Sequence, residues 1–334
     1  MKEAALDGKE SLENPAVSRV GATPVPPPGN DGSPPTTTTA PARRGTDWWG
    51  EVKGIFWLVL VVLGFHSFIA KPFYIPSESM LPGLQVGDQL IVTKYAYGWS
   101  FVSPTIPNPV AMFRSLVLHQ EVESWGVQLP FISGRLFGKM PERGDVVIVT
   151  PPTRNTDYIK RLIGLPGDRL QVIEGTVFLN GVAVKRGAPR DTLIPVDKKT
   201  VCDPDQYPGA LVIGQDGKPY CRLTLVTETL PNGRHYDTVE TGPSDGDNYG
   251  PITIRPNHVF LMGDNRDHSA DSRFSISAMG LGGDVPWENL GGRAEFITFS
   301  KSGNGSWNPF TWGQSFRPGR AGTSLHAARD NPKD

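Results

Sequence analysis

The apolar positions of this chain fall into two regimes: one continuous run near the N-terminus and, beyond it, short alternating stretches separated by turn residues. The continuous run, Gly54 to Ala70, reads GIFWLVLVVLGFHSFIA, seventeen residues without a charged side chain. As a helix rising about 1.5 Å per residue it would span roughly 25 Å, near the lower limit for a bilayer core. Trp48 and Trp49 on one side, and Phe73 and Tyr74 on the other, suit the aromatic belts of a membrane interface. The missing charges disfavour a buried core helix. Phe68 and Ala70 would occupy −3 and −1 of a secretory cleavage site, and Phe is not small, so the run reads as an uncleaved anchor over 48–71. Arg43, Arg44 and Lys53 precede it while Lys71 alone follows closely, which places the N-terminus inside. His66, about a turn from the outer end, reads as a neutral interfacial imidazole.

Past the anchor the periodicity changes to two. Leu90 and Val92 alternate with Ile91 and Thr93 after a VGD turn, a half-buried strand. Val146–Thr150 is a β-branched run, Tyr158–Ile163 a second strand, and QVIEGTVFLNGVAV a hairpin centred on Leu-Asn-Gly-Val. PITIRPNHVFLMGDNRD returns to strand and turn, and GRAEFITFS reads as a last strand. Between Tyr95 and Met140 the mixed apolar spacing fits strand and helix alike. Lys185 to Gly250 is polar, rich in Gly, Pro and Asp, and reads as an inserted, poorly packed lobe. The aromatics Trp307, Phe310, Trp312 and Phe316 fit either a membrane-facing patch or a loop packed on the core. The fold class is therefore mainly β: an antiparallel β core over 72–184 and 251–320, a lobe over 185–250, and one N-terminal transmembrane helix. Residues 1–47, Pro/Thr/Gly-rich and nearly without large apolar side chains, read as a disordered tail, and 321–334 as a flexible one.

Composition changes this picture only by exclusion. A formal net charge of −1 leaves no basic footprint for nucleic acid. The two cysteines, Cys202 and Cys221, form a disulfide if the lobe faces an oxidising compartment and two thiols if it does not. They lack the partners and spacing of a zinc site, and the acid-rich stretches lack the calcium-loop pattern, so no metal is expected. No phosphate-binding glycine loop follows a strand, so no cofactor is expected either.

The chemistry concentrates in three segments: IPSESMLPGLQVGDQLIVTKYAYG (75–98), RGDVVIV…DYIKRLIGLPGD (143–168) and MGDNRDHSADSR (262–273). Pro76 and Pro82 bound a non-helical stretch that presents Ser77 and Ser79. A serine nucleophile needs a base, and of the histidines only His268, beside Ser269, competes for that part. Lys160 is the better candidate, because on a strand it shares a face with Tyr158 and Leu162 while Asp157 projects to the other. At an ordinary pKa of about 10.4 roughly one lysine in 2,500 is neutral at pH 7, and burial that lowers it to about 8 leaves roughly one in ten neutral.

These three segments, in this order, resemble the bacterial type I signal peptidases, membrane-bound Ser/Lys proteases that remove signal peptides from exported proteins. The resemblance implies that Ser79 is the nucleophile and Lys160 the general base. It implies that Ser77 and the Ser79 amide form the oxyanion hole, and that Ser269 orients the lysine. Asp271 with Arg273 correspond to a structural ion pair, and Asp264 and Arg266 to turn-fixing residues. Phe73, Ile75, Met80, Leu84, Leu90, Ile148, Tyr158 and Ile159 fall where the family lines shallow pockets for small side chains, hence Ala-x-Ala-like cleavage sites. The implied partners are signal-peptide-bearing preproteins and the lipid bilayer, with transient proximity to the export machinery. The implied location is the plasma membrane, single-pass, N-terminus cytoplasmic and catalytic domain on the outer face. An organellar processing peptidase, a self-cleaving regulator and a non-enzymatic anchored β-module are the rival readings. Glu78 stands where many relatives have Gly, and is expected to face solvent. His268 replaces a common Asn, and SISAMGLGG after Arg273 lengthens the loop before VPWENLGG.

Overall fold

In this computed structural model, residues 48–103, 134–303 and 315–329 are described, together with 106, 107, 126, 127 and 313. The N-terminal tail, most of the ambiguous segment before Met140, and Trp307, Phe310 and Trp312 lie outside the described residues. The chain divides into two units at Trp49, and of the first only Trp48 and Trp49, stacked at 6.0 Å, are described.

The apolar run forms one helix, Trp48–Phe68, long and apolar enough to cross a membrane. Its 21 residues span about 31 Å. Only 6 % of its most apolar window is buried, and Ile55, Trp57, Leu58 and Val61 are all exposed. Apart from its last turn, where Ser67 is buried and Phe68 meets Trp99, the helix is apolar and exposed, and such a surface suits an apolar solvent. It gives way at once to the edge strand Ala70–Tyr74, so the last part of the predicted anchor is sheet.

That strand opens a seven-stranded sheet, running in order through Asp88–Thr93, Leu290–Ser300, Val146–Val149, Tyr158–Gly164, His258–Met262 and Val285–Pro286. All these pairings are antiparallel. Leu290–Ser300 joins Asp88–Thr93 to Val146–Val149, and Tyr158–Gly164 pairs with His258–Met262; these long-range pairings bring the three motif segments together. Val146–Val149 is buried on both faces: Val146 and Ile148 join a cluster with Ile75, Met80, Leu84 and Leu90, while Val147 and Val149 join Leu162, Leu261 and Leu290. A central strand covered twice explains the continuous β-branched run, with about 1.5–3 kcal/mol per fully buried large side chain.

Arg169–Ile173 and Thr176–Leu179 build a four-stranded sheet with Tyr249–Thr253 and Val182–Ala183. Its Leu179↔Val182 register closes over Asn180 and Gly181, with φ of 56° and 84°, a two-residue turn that Asn and Gly tolerate best. The lobe is not poorly packed. Its central strand, Pro219–Thr229, pairs with Arg190–Pro195, Leu211–Ile213 and Arg234–Val239, and a disulfide joins Cys202 to Cys221. Cys221, Leu223 and Leu225 share one face of that strand and pack with Ile194, Tyr207 and Leu81. Apolar residues alternating with Tyr, Arg and Thr in a polar context hid this core from the composition. Residues 322–329 are not frayed: Leu325 enters the first cluster and Ala328–Arg329 pairs with Arg234 and His235. One isolated leucine carries no periodic signal.

Candidate active site

The loop after the edge strand is fixed by its backbone. Ile75 N donates to Asp88 O at 2.9 Å, Leu81 N to Glu78 O at 3.0 Å and Leu84 N to Met80 O at 2.9 Å. Met80 and Leu84 plug the core, which leaves Ser77 exposed and holds Ser79 at the boundary, 6 % exposed. Lys160 reaches the same point from the strand Tyr158–Gly164. Its Nζ donates to Ser79 Oγ at 2.9 Å and to Ile159 O at 3.0 Å, and lies 5.6 Å from the Tyr158 ring. Cross-strand partners Val147 and Val149 put Lys160 and Tyr158 on one sheet face. Burial pushes the Lys160 amine down to about 8, assisted by the Arg273 charge and opposed by Asp271 and Asp264. Ser77 Oγ stands 3.4 Å from Ser79 Oγ.

The third segment packs against this pair. A Cβ on Gly263 would come within 2.2 Å of Ser269 Oγ and 2.5 Å of Ser79 O, so only glycine permits the approach. Ser269 is buried, and its Oγ has no hydrogen-bond partner among the described residues, so it makes no bond to Lys160 in this structure. Asp271 and Arg273 form a buried pair at 2.9 Å, and Asp271 Oδ2 also accepts from Gly263 N at 3.0 Å. Burial alone would raise the Asp271 carboxyl, but Arg273 and the backbone donors hold it below the usual range. Asp264 and Arg266 do not pair with each other. Asp264 takes Arg161 at 2.6 and 2.7 Å, and Arg266 takes Glu228 from the lobe at 2.5 and 2.6 Å.

Three of the expected pocket residues, Phe73, Tyr158 and Ile159, line a groove of about 320 Å³ that also holds Ser77, Ser79 and Lys160. Ile75, Met80, Leu84, Leu90 and Ile148 do not line it and instead belong to the core cluster on which Phe73 packs. The lengthened loop reaches the groove through Met279 O, which accepts from Tyr158 OH at 3.1 Å.

Glu78 does not face solvent. Tyr207 OH, from the lobe, donates to Glu78 Oε2 at 2.9 Å, and burial raises the Glu78 carboxyl. Sequence could not show this, because nothing local says that the lobe folds back over the serine loop. His268 is occupied elsewhere, with Nε2 at 3.0 Å from Gln206 O. Sequence reasoning also missed Arg161, Glu228 and Asn265. Arg161 follows Lys160 and, by strand alternation, had to point into the opposite face; that signal was available.

The family profile described as signal peptidase, peptidase S26, matches residues 48–299. A signal peptidase I of Rickettsia typhi is 32% identical over 258 residues, covering 75% of this chain and 80% of that protein. One from Rickettsia bellii is 31% identical over 258 residues, covering 75% and 73%. A solved signal peptidase I from Enterococcus faecalis V583 is 22% identical with a TM-score of 0.24, over 46% of this chain and 97% of that one, a likeness too slight to compare folds. The matched span holds the helix and every residue gathered around Ser79, and the chain belongs to the signal peptidase family, peptidase S26.

Proposed function

We propose that this protein is a membrane-bound serine endopeptidase that removes N-terminal signal peptides from exported preproteins after small residues, at Ala-x-Ala-like sites, with Ser79 as nucleophile and Lys160 as general base. The observation that carries the reading is a buried amine, pushed down to about 8, in contact with a serine hydroxyl at 2.9 Å. When neutral, Lys160 takes the proton of Ser79 Oγ as that oxygen attacks the scissile carbonyl. The Ser79 amide and the Ser77 hydroxyl donate to the oxyanion. The ammonium then protonates the leaving amine, and the neutral amine activates the water that hydrolyses the ester. Ser269 Oγ, buried and unpartnered, is the acceptor we assign to that ammonium.

The substrate adds as an extended segment along the groove, main-chain bonds giving affinity and shallow walls selecting small side chains. Family membership and a helix long and apolar enough to span, one such among the described residues, support a bilayer anchor. The basic residues before it support an N-terminus inside and a catalytic face outside, near the export machinery. Purified Ser79→Ala and Lys160→Ala proteins, assayed on an Ala-x-Ala preprotein, test the dyad: both are expected to be inert, and retained cleavage by either overturns it.

A further inference from the structure

Beside the serine and lysine lies a hydrogen-bonded group that the cleavage steps do not use. In the lobe, the turn from Asp203 to Ala210 is closed by Tyr207 N donating to Asp203 O at 2.7 Å and Ala210 N to Tyr207 O at 3.1 Å. Both ends are fastened to the strand Pro219–Thr229. Cys202 is bonded to Cys221, and Ala210 O accepts from Arg222 N at 2.8 Å. From this staple Tyr207 extends to the catalytic loops, its ring 4.9 Å from that of His268.

The Tyr207 hydroxyl uses both its capacities. It donates to Glu78 Oε2 at 2.9 Å and accepts from Asn265 Nδ2 at 2.8 Å. Asn265 Nδ2 also donates to Glu78 O at 3.1 Å, and Asn265 N to Ser79 O at 3.1 Å. One phenol thus joins the residue before Ser79 to the residue that holds the Ser79 carbonyl. Packing alone would be satisfied by a phenylalanine; the two polar contacts are what the hydroxyl adds.

We propose that Tyr207 is a positioning residue: held by the disulfide-stapled turn, it sets Ser79 Oγ against Lys160 by bonding Glu78 and Asn265 together. This rests on Ser79 being the nucleophile. A small displacement of a reacting oxygen costs rate far more than affinity, so the effect belongs in kcat.

The test uses full-length protein in detergent with an Ala-x-Ala preprotein. Tyr207→Phe keeps the ring and removes the hydroxyl. It is expected to lower kcat about tenfold while KM changes less than about twofold. Glu78→Ala is expected to act likewise, with the double variant no worse than the poorer single one. Rates are taken below each variant's melting transition, so a loss of stability does not enter them. Unchanged kcat in Tyr207→Phe, a loss confined to KM, or independent losses in the double variant would each overturn the proposal. Cleavage by Ser79→Ala would instead sink the assigned nucleophile, whatever Tyr207→Phe does, so the two failures are separable.

Discussion

Among the described residues two lysines are buried, Lys94 and Lys160, and both amines are pushed down to about 8 beside different groups. Lys94, just past the strand Asp88–Thr93, is depressed by burial and by the charge of Lys71, and its Nζ donates to Ser103 O. Lys160 is depressed chiefly by burial, and its Nζ meets a hydroxyl. A carbonyl oxygen can only accept, so Lys94 gains nothing there by losing its proton. A hydroxyl can donate, so a neutral Lys160 has a proton to take. A lowered pKa therefore marks burial at both lysines, and the serine hydroxyl beside Lys160 is what makes that residue the proposed base.

The largest effect that separates them is substitution. Lys160→Ala is expected to lower kcat/KM for a preprotein by about 10⁴-fold, whereas Lys94→Met stays within about twofold, both read by gel-based cleavage. Comparable losses from the two would erase the contrast.

Next comes pH. On the proposed mechanism the base must be neutral, so activity is expected to rise as the ammonium loses its proton. With Lys160 pushed down to about 8, kcat/KM should climb about tenfold per pH unit below that value and level off above it. Lys94→Met should leave this profile in place.

The third concerns the charges around Lys160. Arg273 opposes a raised pKa, while Asp271 and Asp264 favour it. Arg273→Met leaves Asp271 buried and uncompensated, which is expected to cost about 3–5 kcal/mol of stability in chemical denaturation. In the protein that remains folded the activity profile moves to higher pH, because a cation that disfavoured the ammonium is gone.

The smallest expected effect is that of the staple. Cys202→Ser with Cys221→Ser opens a loop of sequence separation 19 and should lower stability by about 3 kcal/mol. If Tyr207 positions Ser79, kcat falls with it while the pH midpoint does not move.

The strands and the motif segments were legible in sequence because both rest on local pattern: alternation around Leu90, β-branching at Val146–Val149, the Asn-Gly turn at 180–181 and an uncharged run too long for a loop. What was not legible depends on contacts between distant segments. Glu78 read as a solvent residue because its partner, Tyr207, lies far along the chain in a stretch that looked unpacked. Arg266 bonds Gly263 O within the turn, as a turn-fixing residue would, but the charge partners of Asp264 and Arg266, Arg161 and Glu228, lie on other strands. Five of the eight expected pocket residues lie in the core without lining the groove, since an apolar residue near a site carries the same signal whether it lines a groove or lies under it.

The most direct measurement is the titration of Lys160 itself. In protein labelled with ¹³C at lysine Cε, the Lys160 resonance is the one missing from Lys160→Met. A midpoint of about 8 is the predicted result. A midpoint of about 10.4, the value of an exposed lysine, would contradict the account.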